Sequence, residues 1–271
     1  MIMENCMNKW IKGTLLTTGT FMMCGFQYHK MNVTNYIIHT DKVEDEINIC
    51  VLADLHCRRY GKKQERITKI IEKMKPDLII IPGDLFDVDR DYSISFELIE
   101  ALKKYPVYFT SGNHDNYLKE INELRNQLKE MGVHVLEDTT EVFQKGNTSI
   151  EICGMSDHGR KPIIEPKELD EMYQTDNYKV LISHRPDYID FYKQIHCNLI
   201  ISGHVHGGQW RIPFLKKGIY APQQGFFPKY YEGIHRLNRK FLVISRGLAS
   251  GNPYIPRLYN DPEIVFITLK K

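Results

Sequence analysis

At 271 residues, 42% hydrophobic and 26% charged, the chain is long enough to bury a sizeable core and has the composition of a soluble globular protein. Its 36 basic and 34 acidic side chains leave a formal charge of only +2, with no long block of like charge, which argues against a dedicated nucleic-acid or other polyanion surface. The cysteines, Cys6, Cys24, Cys50, Cys57, Cys153 and Cys197, show no CxxC or finger-like spacing and read mostly as free thiols packed as small apolar groups.

Residues 11–26, IKGTLLTTGTFMMCGF, follow Lys9 and lack acidic side chains, resembling the basic flank and apolar stretch of an export signal or short anchor. The chain therefore divides into a hydrophobic signal or anchor segment over 1–28 and a body over 29–271. Lys9 and Lys12 stand at the start of the apolar run, so the body is expected at a membrane on its extracytoplasmic side. The stretch is short for a comfortable span and no clear A-x-A site follows it; a buried or frayed N-terminal helix is the competing reading.

From about residue 31, apolar runs alternate with helical periodicity, without internal repeats or low-complexity tracts. INICVLADLH reads as a buried strand ending at Asp54, and QERITKIIEKM spaces Ile67, Ile70, Ile71 and Met74 on one helix face. DLIIIPGD is a second strand. A helical stretch with Phe96, Ile99 and Leu102 leads to PVYFTSGNHD, a third strand with a polar end. Leu118, Ile121, Leu124, Leu128 and Met131 mark a helix stopped by Gly132. EVFQKGNTSIEICG predicts a hairpin turning at Gly146 and Asn147. YKVLISH and NLIISGH are further strands, and KFLVISRG and EIVFITL supply late ones. Early alternation of strands and helices, with strand-rich sequence later, predicts an α/β fold with more than one sheet.

Five of these strands end in side chains suited to metal binding or catalysis: Asp54 and His56, Asp84, Asn113 with His114 and Asp115, His184, and His204 with His206. Singly, each has an ordinary reading: Asp54 as a cap, Asp84 and Asn113 as turn residues, His184 as a satisfied core histidine. Repeated at successive strand ends, the same bias points to one site, because ligands in α/β folds gather beyond the carboxyl ends of strands. Mixed oxygen and nitrogen donors suit Mn²⁺, Fe²⁺ or Zn²⁺ rather than Ca²⁺, and seven donors are too many for one tetrahedral ion. His29, His39, His134, His158, His196 and His235 are left as structural or solvated, with His158 the nearest to a substrate role.

The ordered blocks DLH at 54–56, GDLFD at 83–87, GNHD at 112–115, His184 in ISH and GHVH at 203–206 resemble the calcineurin-like metallophosphoesterase superfamily. The flanking sequence resembles the bacterial branch whose last motif continues as HGGQ and which often carries an N-terminal membrane segment. The resemblance implies a four-layer α/β/β/α sandwich holding two divalent metal ions. Asp54, His56 and His206 would hold one, Asn113, His184 and His204 the other, and Asp84 would bridge them. Asp87 would stand behind His56 as the acceptor that fixes its tautomer.

The same resemblance implies hydrolysis of phosphodiester, pyrophosphate or phosphomonoester bonds by a metal-bridging hydroxide. His114 would face the phosphate and protonate the leaving oxygen or stabilise the transition state, with Asp115 orienting its ring. Arg58, Arg59 and Arg246 are candidate phosphate clamps, and Trp210, Phe226, Phe227, Tyr230 and Tyr231 candidate pocket or membrane-facing aromatics, with solvation or core packing as the ordinary alternatives. The branch and the N-terminus point to a lipid-linked or cell-envelope phosphoester. The competing functions are a non-catalytic metal-binding interaction scaffold and a nuclease, the latter given no support by the near-neutral charge. No protein partner is evident.

Overall fold

The computed structural model describes residues 30–212, 217–249, 251–252 and 255–271; the hydrophobic segment expected over 1–28 lies outside them. In chain order the main strands are β1 (Asn32–His39), β2 (Ile47–Val51), β3 (Leu78–Pro82), β4 (Val107–Thr110), β5 (His134–Val135), β6 (Thr139–Lys145), β7 (Thr148–Met155), β8 (Tyr178–Ser183), β9 (Leu199–Ser202), β10 (Gly233–Leu237), β11 (Lys240–Ile244) and β12 (Glu263–Lys270). The longer helices are α1 (Glu65–Met74), α2 (Ser93–Leu102), α3 (Ile121–Glu130), α4 (Pro166–Glu171) and α5 (Ile189–Gln194).

These strands form two six-stranded sheets, ordered β1-β12-β2-β3-β4-β5 and β10-β11-β9-β8-β7-β6. In the first, β2 to β5 run parallel and β12 runs against β2. In the second, β11, β9, β8 and β7 run parallel, with β10 and β6 antiparallel at the edges.

Side-chain alternation along each strand separates three apolar cores. Ile49 and Val51 of β2 point between the sheets, where they join Ile80, Ile152, Val180, Ile201 and Val243. Cys50 of the same strand points the other way, into a core with Ile67 and Ile71 of α1, Leu98 and Ile99 of α2, and Leu124 and Leu128 of α3. Beyond the second sheet, Leu181, Ile200 and Leu242 pack with Leu169 of α4 and Tyr192 of α5. Helices, sheet, sheet, helices: this is the four-layer α/β/β/α sandwich expected from the motifs.

The sequence reading started the third helix one turn early. Leu118 is buried but sits before α3, in a turn where its N–H donates to the Asp115 carbonyl. The stop at Gly132 holds, with its backbone left-handed at φ 86°. The strand β1 gave no clear sequence signal: it is an edge strand whose residues alternate between exposed and half-buried, with Ile38 alone buried. Cys50, Cys57, Cys153 and Cys197 are buried free thiols, as their apolar surroundings predict.

Candidate metal centre

The parallel strands β2, β3 and β4 of one sheet and β8 and β9 of the other end at the same edge of the sandwich, and each hands its chain to a polar loop. Asp54, His56, Asp84, His204 and His206 take left-handed backbone conformations there, with φ of 53°, 49°, 53°, 70° and 45°. That conformation costs a non-glycine residue about 1–3 kcal/mol and collects at functional sites. Asp and His tolerate it better than most. Glycine closes the remaining space: a Cβ on Gly112 would fall 2.2 Å from Asp84 Oδ1, and one on Gly83 2.5 Å from His184 Nδ1.

Two groups of donors result, sharing Asp84: Asp54, His56, Asp84 and His206, and Asp84, His184 and His204. In the first, His56 Nε2 lies 3.3 Å from His206 Nε2 and 3.5 Å from Asp84 Oδ2, and His206 Nε2 lies 3.7 Å from Asp54 Oδ1. In the second, His184 Nε2 lies 3.1 Å from Asp84 Oδ2, 3.2 Å from Asn113 Oδ1 and 3.2 Å from His204 Nδ1. All seven residues singled out as donors in the sequence therefore converge.

The donor chemistry fits cations. A neutral imidazole carries one ring proton. His56 Nδ1 faces Asp87 Oδ2 at 3.2 Å, and His184 Nδ1 faces the Pro82 carbonyl at 2.8 Å, so both rings spend that proton away from the cluster and turn lone pairs into it. Asp54 Oδ2 is buried without a hydrogen-bond partner. Facing acceptors with nothing between them are unfavourable unless positive charge joins them.

Burial presses His184 towards its neutral form, yet the Asp84 and Asp54 carboxylates hold its pKa up at about 10. The same carboxylates that would attract a cation also draw a proton onto His184, so its Nε2 lone pair is open to a metal only once that proton is displaced. Burial, reinforced by the charges of His184 and Arg185, brings His204 down to about 3. Burial and the Arg257 charge likewise hold His206 well below its ordinary value. Burial raises Asp54, whereas at Asp84 burial is outweighed by His184, His56 and His114 together, which keep the carboxylate ionised.

One expected role moves. The ring of His114 was assigned to Asp115, but its Nδ1 meets Asp87 Oδ1 at 2.7 Å. Asp115 points under the loop, where its carboxylate accepts the backbone N–H groups of Asp84, Phe86 and Gly112, each at 2.8 Å. Successive side chains of the helical turn Asn113–Asn116 diverge by about 100°, so neighbours in sequence cannot share a direction. Burial and the Asp84 charge push Asp115 up to about 7. Asp87 thus holds two rings at once, those of His56 and His114.

A cavity of about 550 Å³ opens over the cluster, lined among others by His114, Arg58, Arg59, Arg185, Tyr117 and Tyr220. Arg59 is ion-paired with Glu97. Arg246 is not on this wall: it is buried, with Nη2 donating to Glu263 Oε1 at 3.0 Å. Tyr230 and Tyr231 pack against the outer core of the second sheet, whereas Trp210, Phe226 and Phe227 are exposed. The sequence reading missed Arg185, which directly follows His184. Its Nε donates to both oxygens of Asp157, at 2.8 and 3.0 Å, and its Nη1 lies 3.2 Å from His204 Nε2. Adjacency to a ligand in ISHRP was the available signal. His158 stays outside, 3.5 Å from Asp138.

Residues 47–208 match the family model of the calcineurin-like phosphoesterases. The chain belongs to that family. As a calcineurin-like phosphoesterase it is a metal-dependent hydrolase of phosphoric esters. Similar proteins include the phosphodiesterase YaeI of Escherichia coli, 29% identical over 229 residues covering 82% of this chain and 81% of that one. The uncharacterized metallophosphoesterase YkoQ of Bacillus subtilis is 27% identical over 231 residues, covering 82% and 83%. A zebrafish transmembrane protein with a metallophosphoesterase domain is 27% identical over 260 residues, which cover 88% of this chain and 57% of that protein. Among solved structures, TT1561 of Thermus thermophilus superposes with a TM-score of 0.53 at 11% identity over 76% of this chain and 92% of that one, a likeness of fold.

Proposed function

We propose that the protein is a dinuclear phosphodiesterase whose two divalent cations, Mn²⁺, Fe²⁺ or Zn²⁺, are held by the two donor groups. Asp54, His56 and His206 hold one, Asn113, His184 and His204 the other, and Asp84 bridges. The observation that carries this reading is the sharing of Asp84: its Oδ2 lies 3.1 Å from His184 Nε2 and 3.5 Å from His56 Nε2. When bound, the cations supply Lewis acidity, lowering the pKa of water and offsetting the negative charge that builds on a phosphoryl group.

His114 lines the cavity with Nδ1 fixed by Asp87, leaving Nε2 to deliver a proton to the leaving oxygen. Burial opposes its charge, but the hydrogen bond to Asp87 and the charges of Asp84 and Asp87 together outweigh burial and raise its pKa, so the ring is kept loaded. Asp87 acts through these rings, one of its oxygens facing each. The likeness to the E. coli phosphodiesterase YaeI supports diester chemistry. Action on a lipid-linked or cell-envelope phosphoester, or on a pyrophosphate, is supported by the apolar residues 11–26 and by the name of the zebrafish relative. Among the described residues no helix is long and apolar enough to cross a membrane, so anchoring rests on the N-terminal sequence.

The test is to purify the full chain with Mn²⁺, count bound metal, and compare hydrolysis of bis-p-nitrophenyl phosphate with p-nitrophenyl phosphate. Two ions per chain and faster diester hydrolysis are expected. One ion per chain, or two ions with neither ester cleaved, would sink the proposal.

A further inference from the structure

The direction of β1 fixes where the N-terminal segment leaves the fold. Asn32 pairs with Glu263 at the start of β12, and β12 runs against β2, so that Val265 pairs with Val51 at the end of β2. The chain therefore enters the sandwich at the edge that carries the metal site. Two further contacts tie the entry point to the cluster: the Glu263 N–H donates to the Gly247 carbonyl, and a Cβ on Gly247 would lie 2.2 Å from Asp54 Oδ2.

That edge also carries an aromatic platform. Tyr220 and Ala221 pair with Phe226 and Gly225, and the rings of Tyr220 and Phe226 meet edge-on at 5.6 Å. Backbone bonds join the neighbouring segments: the Ile219 N–H donates to the Trp210 carbonyl, and the Phe227 N–H to the Ile219 carbonyl. Phe226 is 74% exposed and Phe227 66%. Among the described residues, the exposed large aromatics are Tyr117, Trp210, Tyr220, Phe226 and Phe227; Tyr117 and Tyr220 line the cavity, and the others adjoin Tyr220. Aromatic side chains gathered on one exposed face mark an interaction surface.

Along the platform segment the exposed charges are lysines, while the acidic residue that follows it, Glu232, is ion-paired with Arg211. From Trp210 to Tyr231 the sequence contains no Asp or Glu, while Lys217 and Lys229 are exposed within it. Trp, Tyr and Phe beside lysines suit the boundary between lipid headgroups and acyl chains of an anionic bilayer. A protein partner would leave unexplained why the platform shares its edge with the exit of an apolar N-terminal segment.

We propose that the platform of Trp210, Tyr220, Phe226 and Phe227 docks on an anionic lipid bilayer and turns the mouth of the cavity towards it, so that the phosphoester cleaved is one displayed at the lipid surface. The substrate part rests on the phosphodiesterase reading; the docking part does not. Both tryptophans of the chain are Trp10 and Trp210, so a Trp10→Phe variant of the full-length protein reports on Trp210 alone. It is mixed with phosphatidylglycerol–phosphatidylcholine vesicles whose acyl chains carry bromine, a contact quencher of indole.

Quenching of Trp210 is expected, weaker on pure phosphatidylcholine. Adding Phe226→Ser and Phe227→Ser should reduce vesicle partition or quenching at least about tenfold. A circular dichroism melt of that variant separates lost docking from lost folding; if it fails to fold, the Trp10→Phe protein alone still decides. Vesicle binding with Trp210 unquenched, or no binding, overturns the proposal, the former leaving a protein partner for the platform. Hydrolysis of the soluble aryl diester is scored separately, so a chain that docks but cleaves no diester keeps the docking surface and loses the function.

Discussion

The two donor groups are built from the same residue types but stand in different surroundings. The group of His184 and His204 reaches deeper, with the His184 side chain 0% exposed, although His204 and Asn113 also line the cavity. The group of His56 and His206 lies at the cavity, with His206 14% exposed. The inner group is held by fixed backbone and by an arginine: His184 by the Pro82 carbonyl, His204 beside Arg185. The outer group is held by a carboxylate that serves His114 as well. The contrast suggests a division of labour, in which the inner cation is a lasting part of the fold and the outer one, coupled through Asp87 to the proton donor, exchanges and meets substrate.

The strongest way to break this comparison is to remove what the groups share. Asp84→Asn should cost both cations and reduce diester hydrolysis to background; a variant retaining both ions and turnover would show that the groups are independent. Next in size, His114→Ala should lower kcat by about 10²–10⁴ while metal content stays at the wild-type level. Loss of metal together with turnover would instead make His114 part of the donor set. Limiting chelator should then sharpen the contrast, removing metal in two phases with the outer cation first; a one-phase loss would put the groups on an equal footing.

The smallest effect expected is at Asp87. Its hydrogen bond raises the pKa of His114, so the protonated ring persists to higher pH than a free imidazole. Asp87→Asn removes that contribution, lowers the ring pKa, and should move the alkaline limb of kcat to lower pH with a loss of about tenfold. An unmoved limb would take the proton-donor role away from His114.

The strand ends were legible in sequence because a buried parallel strand is largely apolar, which makes the Asp, Asn or His that closely follows Val51, Pro82, Thr110, Ser183 or Ser202 conspicuous. Convergence of those ends was not legible from periodicity; it follows from two sheets closing on one edge, which only the ordered motifs implied. Asp115 was misassigned because adjacency to His114 suggested contact, whereas a helical turn separates neighbours and brings Asp87, from another loop, to the ring. Arg185 escaped notice because its environment is set by Asp157 and His204, which come from other loops. The aromatic platform was visible as composition alone. Whether Phe226 and Tyr230 were core or surface depended on short ribbons that carry no apolar periodicity.

The buried thiols bear on where such a chain can work. Burial pushes Cys153 and Cys197 up to about 12 and raises Cys50 further, so the nucleophilic thiolate is scarce as well as hidden. Among the described residues no cysteine offers a handle to oxidants or to disulfide exchange. Those four thiols are thereby shielded from the redox potential around them, whichever face of a membrane the body occupies.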